Sequence, residues 1–293
     1  MLITLGMIRL ELNEKTVYSF SRLKTFRDCK QAYYLQYVLN HTRSDNIYGT
    51  LGTVVHDLLE SAQKGEIDDM EKAVETFTEE VAVAEFFGHS FPNEKIKEDY
   101  VTCVSHAIRH YKPLHGCKFE IEKRIDCEIG GYKLTGFIDL IIHNIDGTVT
   151  VIDYKTSSKY SGQDLKKNAN QLLLYAIALE QEGYVVREVS WLMLKYCTVA
   201  GKRNGSTKTI KRSELYENQE FEPCFVKYPY NDETKRECEE WIISTIEEIE
   251  SLDLFDEWES KKIDKFSSFG CKNVCSVCEH CTPYQEFAKN QKY

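Results

Sequence analysis

The sequence predicts an α/β protein built around a mixed β-sheet. Two apolar, β-branched runs, at 137–142 and 148–152, flank Asp146-Gly147, a dipeptide typical of tight two-residue hairpin turns. A helical pattern at 168–182 separates the second run from another apolar run at 188–197. Because strand, helix and strand in succession form a right-handed crossover, we expect a parallel strand pair beside the antiparallel hairpin.

The remaining elements follow from periodicity and capping signals. Ser19 or Ser21 suits the N-cap of a first helical stretch, and Cys29 lies at the end of that stretch. Further helices are predicted at 52–62, 68–87, 94–112 and 232–252, and further strands at 118–129, 132–143, 148–156 and near 207–228. The helices at 68–87 and 94–112 are amphipathic and are expected to form an insertion beside the sheet.

The chain has no internal repeat and no long Pro/Gly/Ser linker, so we expect one domain over 1–293. Its expected parts are N-terminal helices with Cys29 and His56 at 17–65, a helical insertion at 66–115, a sheet core at 116–230, and a C-terminal helix with a cysteine cluster at 231–293. A content of 42% hydrophobic residues is ample for a packed core.

Charge and cysteine usage narrow the function classes. No uncharged apolar run reaches the length of about 18 residues that a membrane span requires. The formal net charge of −10 argues against a generally basic nucleic-acid-binding surface, although a local basic groove or metal-bridged phosphate contacts are compatible with it. Eleven cysteines without a secretory signal favour a reducing, cytoplasmic location.

Two carboxylates stand inside the apolar strands of the hairpin. Asp139 lies in the first strand and Asp153 in the second, and Lys155 shares a face with Asp153 because it follows two residues later. Buried charges need compensation, and a hairpin that brings the two aspartates together would make a divalent-cation site beside an ammonium group. His56 and Glu122 are further candidates for this site. A structural Asp–Lys pair at a strand end is the alternative interpretation.

A second constellation of candidate ligands lies near the C-terminus. Four of the eleven cysteines fall within eleven residues, at Cys271, Cys275, Cys278 and Cys281. Taken locally, their Cys-x-x-Cys spacing suits tetrahedral thiolate coordination of a structural zinc ion.

The joint order of these motifs resembles the PD-(D/E)xK nucleases of the RecB type that carry an iron–sulfur cluster. That group includes the nuclease domains of helicase–nuclease repair complexes, CRISPR-associated iron–sulfur exonucleases and phage-encoded relatives. The resemblance spans roughly residues 17–283, and no single motif decides it. The matching segments, in order, are YSFSRLKTFRDCKQAYYLQYV, GTVVH, GFIDLI, VIDYKTS and NQLLLYA, followed by the cysteine-rich end.

The resemblance implies a restriction-endonuclease-like fold: a mixed central sheet flanked by helices, with a helical insertion and a C-terminal iron–sulfur tail. It also implies that His56, Asp139 and Asp153 hold magnesium or manganese, with Glu122 as a possible addition. Lys155 matches the lysine of the D/E-x-K pair, which orients or deprotonates the attacking water.

The resemblance extends to the helix at 168–182 and to the cysteines. Gln171 and Tyr175 match the family's helix motif that contacts the site and the DNA, and Lys159 is a further DNA-binding candidate. A 4Fe-4S cluster is implied, held by Cys29, Cys275, Cys278 and Cys281, with Cys271 as the alternative to one of the last three. The tail departs from the family pattern because it offers more thiols than a cluster needs.

The implied activity is that of a metal-dependent DNA exonuclease acting on single-stranded ends in repair, recombination, phage or CRISPR-adaptation processing. Expected partners are DNA and a helicase, recombinase or integrase, with no membrane. One alternative is a non-catalytic DNA-end-binding or assembly subunit that keeps the nuclease fold. A zinc-stabilised adaptor with merely paired strand carboxylates is the other.

Overall fold

The structure is a computed structural model that describes residues 16–254 and 256–291. The first 15 residues, on which the expected absence of a signal peptide rests, lie outside the described residues, as do the two ends of the predicted 1–293 domain. Among the described residues, no helix is both long enough and apolar enough to cross a membrane.

Helices and strands follow one another along the described chain. The helices are α1 (Phe20–Asp28), α2 (Lys30–Tyr33), α3 (Ile47–Lys64), α4 (Met70–Phe86), α5 (Glu94–Arg109), α6 (Gly162–Gln181), α7 (Asp232–Ser251), α8 (Ser268–Asn273) and α9 (Thr282–Asn290). The strands are β1 (Val17–Tyr18), β2 (Phe119–Ile129), β3 (Tyr132–His143), β4 (Val149–Lys155), β5 (Val186–Ala200), β6 (Thr207–Lys211) and β7 (Glu222–Tyr228). A π-helical turn occupies Tyr34–Val38.

The chain divides into two compact units, each assembled from separate stretches of sequence. The terminal unit comprises the residues up to Ser44, Asp126–Gly136 and the residues from Asp232 onward. The sheet unit comprises Asp45–Ile125 and Phe137–Asn231. The expected organisation as one domain with four parts stays a prediction.

In the sheet unit, β4 lies between β3 and β5. It runs antiparallel to β3, with Leu140 opposite Ile152, and parallel to β5, with Asp153 opposite Trp191. Strand β5 also pairs antiparallel with β6 and with β7. Since α6 connects the parallel pair β4 and β5, the predicted mixed α/β sheet is confirmed.

The β3–β4 hairpin has a wider turn than the sequence predicts. Residues 144–148 connect the two strands, and the backbone N–H of Asn144 donates to the carbonyl of Thr148. Asp146 Oδ1 accepts hydrogen bonds from the backbone N–H and the hydroxyl of Thr148. The predicted two-residue turn is therefore wrong, because the Asp146 side chain organises a longer loop with its own hydrogen bonds.

Helices pack against this sheet through apolar faces. One buried cluster joins α3, α4 and α5 to the strands, and its members include Leu51, Val55, Phe77, Val104, Leu140, Ile152, Tyr154 and Leu194. Helix α6 contacts β4 and β5, and its apolar run from 172 to 179 is buried throughout. Burial of this apolar surface is the main stabilising contribution to the unit.

Helices α3 and α6 begin earlier than the predicted helices at 52–62 and 168–182. Asn46 caps α3, and its side-chain oxygen accepts hydrogen bonds from two backbone N–H groups of the first turn. The helix then continues through Gly49 and Gly52. An N-cap contributes about 1 kcal/mol, which offsets much of the cost of glycine inside a helix. The predicted start of this helix at Gly52 was therefore too late.

In the terminal unit, β1 pairs parallel with the start of β3, with Val17 opposite Lys133. Helix α1 ends at Cys29, whose extended backbone separates it from α2, so the predicted position of this cysteine at a helix end is confirmed. Arg27 of α1 forms an ion pair with Glu248 of α7, and its Nε donates to Thr245 Oγ1 over 2.8 Å.

Candidate active site

The β3–β4 hairpin carries both predicted aspartates. The paired register of the two strands ends at Leu140 and Ile152, and Asp139 and Asp153 are the residues directly adjacent to that last pair. The two aspartates are 7% and 1% exposed. Lys155 lies two residues beyond Asp153 and its Nζ is 2.6 Å from Asp153 Oδ2. The sequence-predicted set of two carboxylates and one lysine therefore meets in the sheet unit.

Three groups of metal-ligand type converge beside this pair. One ligand atom each from His56, Glu122 and Asp139 lies within 4.8 Å of the other two, and we call these residues the acidic group. His56 comes from α3, Glu122 from β2 and Asp139 from β3. The geometry gives Glu122 a central place, whereas from the sequence it was only a possible addition.

Glu122 reaches the group through an unusual backbone conformation. Its φ is 46°, in the left-handed region, although it lies inside strand β2. A non-glycine residue in this region costs about 1 kcal/mol or more, and such strain concentrates at functional sites. The alternation of side chains along a regular strand does not predict where the Glu122 side chain points, because this residue departs from strand geometry. The sequence alone therefore did not single out Glu122.

The main chain of Tyr154 orients two members of the acidic group. Its backbone N–H donates to Asp139 Oδ2, and its carbonyl lies 3.1 Å from His56 Nε2. Because a carbonyl only accepts, His56 donates through Nε2, so Nδ1 is the ring nitrogen that faces Asp139. That Nδ1 lies 3.5 Å from Asp139 Oδ1. When protonated, Nδ1 donates to this carboxylate, and when a metal ion replaces that proton, the same nitrogen can bind the metal.

Asp153 offers a test of whether a cation fits here. Its buried Oδ2 is ion-paired with Lys155 Nζ at 2.6 Å, and no neutral hydrogen-bond donor among the described residues reaches it. One ammonium leaves further lone pairs of this buried carboxylate that a metal ion could occupy. The oxygen-rich donor set with one imidazole suits magnesium or manganese.

Burial and mutual repulsion shift the pKa values in this region. Burial raises the pKa of Asp153 to about 6, with Lys155 opposing the shift and Asp139 adding to it. Burial and the Asp139 charge also raise the pKa of Glu122. For His56, burial acts to lower the pKa, but the hydrogen bond and charge of Asp139 outweigh it, so the pKa is raised. Burial is the first cause of the raised pKa values of Asp153 and Glu122, and the neighbouring negative charge of Asp139 acts on all three groups; a bound cation would offset that charge.

Helix α6 places the two predicted motif residues together. Gln171 Nε2 donates to Tyr175 Oη over 2.9 Å, and both residues lie on the same helical face. Burial, together with the charges of Asp153 and Asp139, holds the pKa of Tyr175 well above its ordinary value. Lys159, the further DNA-binding candidate, donates instead to Thr209 Oγ1 over 3.1 Å.

All five candidate cysteine ligands line one cavity in the terminal unit, of about 380 Å³, which we call the thiol cavity. Its cysteines are Cys29, Cys271, Cys275, Cys278 and Cys281. Burial raises the pKa of Cys275, Cys278 and Cys281. Burial also raises the pKa of Cys271, against the smaller lowering effect of Lys261, which also lines the cavity. A basic group thus stands beside thiols that become thiolates on binding metal.

The spacing of these thiols bears on the choice between zinc and a cluster. Four thiolates around one zinc ion stand about 3.8 Å apart, given Zn–S bonds of about 2.3 Å and tetrahedral geometry. Among residues 16–254 and 256–291, the acidic group is the only set of three or more potential ligands within 4.8 Å of one another. Among the described residues, the thiols of the cavity thus do not form a set drawn together within 4.8 Å.

Comparisons with known proteins agree with this arrangement. The chain matches the PD-(D/E)XK nuclease superfamily over residues 17–283. It is 27% identical over 184 residues to one of the subunits of the ATP-dependent helicase/deoxyribonuclease from three strains of Streptococcus agalactiae. These alignments cover 57% of this chain and 17% of each relative, so the chain corresponds to a small part of their length.

A solved structure is also similar over nearly the whole chain. It is the crystal structure of a Eubacterium rectale protein provisionally designated an exonuclease, with a TM-score of 0.46 and 14% identity, covering 96% of this chain and 93% of that chain. The superfamily match includes α3, β2, β3 and β4, the elements that carry the acidic group and the Asp153–Lys155 pair. The chain therefore belongs to the PD-(D/E)XK nuclease superfamily.

Proposed function

We propose that this protein is a magnesium- or manganese-dependent DNA exonuclease that hydrolyses phosphodiester bonds at single-stranded ends. The observation that carries the proposal is the convergence of His56, Glu122 and Asp139 within 4.8 Å beside the buried Asp153–Lys155 pair. Oxygen ligands from three carboxylates and one imidazole nitrogen form a donor set for a hard divalent cation. DNA as substrate and single-stranded ends as its form rest on the resemblance to iron–sulfur nucleases of the RecB type.

The chain's own residues would divide the work between binding and positioning. A bound divalent cation supplies a water of lowered pKa and neutralises charge on the phosphate. His56, Asp139 and Asp153 hold the cation, with Glu122 completing the set. Lys155, whose ammonium group lies beside Asp153, orients or deprotonates the attacking water.

Gln171 and Tyr175 extend the site toward the substrate strand. In this proposal their paired polar groups contact the DNA beside the reacting phosphate, and Lys159 contacts a neighbouring phosphate. Phosphate contacts fix the position of the strand without reading its sequence, so we expect little sequence preference.

We further propose that the thiol cavity holds a structural 4Fe-4S cluster on Cys29, Cys275, Cys278 and Cys281, with Cys271 as the alternative to one of the last three. Support comes from the five thiols around one cavity and from the resemblance to iron–sulfur nucleases of the RecB type. Iron and acid-labile sulfide in anaerobically purified protein, with broad visible absorption, would support the cluster. Zinc without iron would contradict it.

The relatives suggest the setting in which such a nuclease works. The Streptococcus agalactiae proteins are subunits of an ATP-dependent helicase/deoxyribonuclease, and this chain aligns with 17% of their length. We infer that the protein acts with a DNA-processing partner such as a helicase, recombinase or integrase, in repair, recombination, phage or CRISPR-adaptation processing. Co-purification with such a partner from the native cell is the corresponding measurement.

The decisive experiment compares three proteins on end-labelled single- and double-stranded DNA in magnesium and in manganese. They are the parent, Asp153→Ala and the matched control Asp164→Ala, which replaces an exposed aspartate in the first turn of α6. We expect progressive shortening of single strands by the parent and the control, and none by Asp153→Ala. Undiminished digestion by Asp153→Ala would contradict the proposal, and binding without cleavage by the parent would favour the non-catalytic DNA-end-binding alternative.

A further inference from the structure

A large cavity in the sheet unit plays no part in the proposed chemistry. It has a volume of about 900 Å³, within the range of pockets that hold small-molecule ligands. Its apolar floor includes Leu140, Ile152 and Leu194, and the polar loop at 201–206 borders it. We call it the Arg212 cavity, after the buried charged residue that lines it.

Arg212 is a buried cation without an anion. It is 5% exposed, and no carboxylate among the described residues forms an ion pair with it. Its Nε donates to the Leu194 carbonyl over 2.8 Å, and its Nη1 contacts His106 Nδ1 at 2.9 Å. A guanidinium has five N–H groups, so three remain without a protein acceptor among the described residues. Burying such a charge without a counter-ion is costly, which indicates that an anion belongs beside it.

His106 does not supply that anion. Burial, together with the charge of Arg212, lowers the pKa of His106 to about 4, so its Nδ1 is an uncharged acceptor at neutral pH. The thiols of Cys197, Cys103 and Cys224 also act on Arg212, and burial raises the pKa of Cys197 and of Cys224. His106 and these two thiols therefore supply no negative charge to the guanidinium at neutral pH.

The walls of the cavity indicate what the anion is attached to. An inorganic anion would leave most of 900 Å³ empty. Four phenylalanine and tyrosine rings line the cavity, including Phe221, over which the Arg212 guanidinium stacks at 5.2 Å, and Phe225, which is 44% exposed. An exposed aromatic ring beside a basic group suits a planar base joined to a phosphate.

We propose that the Arg212 cavity binds a mononucleotide, with its phosphate at Arg212 and its base against the phenylalanine rings. The exposed rim carries charges of both signs, from Lys112, Arg203, Glu220 and Glu222, so the buried Arg212 is the group that selects an anion inside the cavity. This inference goes beyond the proposed nuclease function and does not rest on it.

The cavity is separate from the acidic group. Asp153 and Tyr154 are consecutive on β4, so their side chains point to opposite faces of the strand. The Tyr154 ring lines the cavity, where its hydroxyl lies 2.9 Å from that of Tyr111. Nucleotide binding can therefore be measured with the acidic group left free of metal.

The test is calorimetric titration of the full chain with deoxyadenosine monophosphate (dAMP) in the presence of EDTA, so that no divalent cation contributes. We expect one saturable site per chain. Deoxyadenosine and inorganic phosphate should each bind at least tenfold more weakly, because each lacks one half of the ligand. A free mononucleotide and the terminal nucleotide of a strand share this chemistry, so competition by thymidine tetranucleotides with and without a 5′-phosphate distinguishes the two sources.

Two variants alter the cavity in different ways, and one serves as the control. Arg212→Gln removes the charge and should weaken dAMP binding at least tenfold, whereas Ala200→Trp fills the cavity from an exposed lining position and should abolish it. Arg187→Gln, the same change at an arginine outside the cavity, should bind as the parent does. If Arg212→Gln fails to fold, Ala200→Trp decides the outcome.

The proposal is overturned if the parent binds no dAMP, or if Ala200→Trp binds dAMP as tightly as the parent. Phosphate binding as tight as dAMP binding would overturn the nucleotide assignment. Deoxyadenosine binding as tight as dAMP binding would overturn the role of Arg212.

Discussion

The acidic group and the thiol cavity differ in what holds their side chains. Asp139 and Asp153 lie on paired strands. The backbone N–H of Tyr154 donates to Asp139 and its carbonyl accepts from His56, which fixes both side chains. The cysteines of the thiol cavity come from the break between α1 and α2 and from the short helices and turns of the C-terminal tail. Ligands on a sheet are therefore oriented before any metal binds, whereas ligands on short irregular segments are expected to depend on the group that they bind.

The difference has a thermodynamic meaning. A preorganised site loses little conformational freedom on binding, so metal removal should leave its fold intact. A site assembled from turns gains much of its order from the bound group, so loss of that group should loosen the segment. Variants of each region can therefore test whether the acidic group is preorganised and whether the thiol cavity depends on its bound group for order.

The largest effect is expected for Asp139→Asn. The asparagine oxygen can still accept from the Tyr154 N–H, so the fold should be kept, but the loss of charge removes several kcal/mol of metal and phosphate stabilisation. We expect DNA cleavage to fall about a thousandfold with little change in melting temperature. Single-turnover rates and thermal melts measure both, with Asp164→Asn as the control. A rate within tenfold of the parent would remove Asp139 from the site.

The next effect concerns Cys29→Ser in the thiol cavity. We expect bound iron to fall at least tenfold and proteolysis of the C-terminal tail to accelerate, because the turns lose the group that orders them. Cys238→Ser is the matched control, since Cys238 is a fully buried cysteine of α7 outside the cavity. It should lower stability but retain iron. Equal iron in the two variants would mean that Cys29 is not a ligand.

Glu122→Gly should lower metal affinity without lowering the stability of the fold. Glycine relieves the left-handed strain at this position, so the free energy of unfolding should stay within about 1 kcal/mol of the parent or rise. Metal affinity should fall roughly tenfold to a hundredfold as a ligand is lost. Glu128→Gly, at an exposed position of the same strand without a positive φ, should only destabilise. Manganese titration and urea denaturation distinguish the two variants, and unchanged metal affinity in Glu122→Gly would count against Glu122 as a ligand.

The smallest expected effect is a pH dependence of the free energy of unfolding that arises from His106 in the sheet unit. The folded-state pKa of His106, lowered to about 4, lies below its unfolded value of about 6.5. The unfolded chain thus binds this proton first, so stability is complete above about pH 6.5 and falls as the pH drops toward 4. Because the ring is partly exposed, we expect a loss of about 1 kcal/mol between pH 7 and 5.

His106→Gln tests this pH dependence, because glutamine can still accept from Arg212 while it does not titrate. Urea denaturation at several pH values should show a smaller loss of stability in the variant. The thiols at Cys275, Cys278 and Cys281 have raised pKa values and do not titrate in this window. Identical pH dependence in parent and variant would show that His106 does not contribute.

The sequence predicts the strand-borne part of the molecule well for a physical reason. Alternation along apolar runs places Asp153 and Lys155 on one face, and a hairpin brings Asp139 to the same edge, so local pattern determines position. The left-handed turn at Glu122 and the tautomer of His56 depend on contacts between residues far apart in the chain, which no local pattern contains. Arg212 gave no signal either, because a buried arginine and a solvated one look alike in sequence.

The peptide group of Tyr154 has a consequence for mutational tolerance. Every residue except proline supplies the same N–H and carbonyl, so the orientation of Asp139 and His56 does not depend on which side chain occupies position 154. What the site cannot tolerate is a one-residue shift of β4 against β3, which would displace both hydrogen bonds and turn Asp153 to the opposite face at once. Substitution at Tyr154 is therefore limited by the packing of its buried ring and not by the acidic group, whereas an insertion inside the strand would disrupt the acidic group itself.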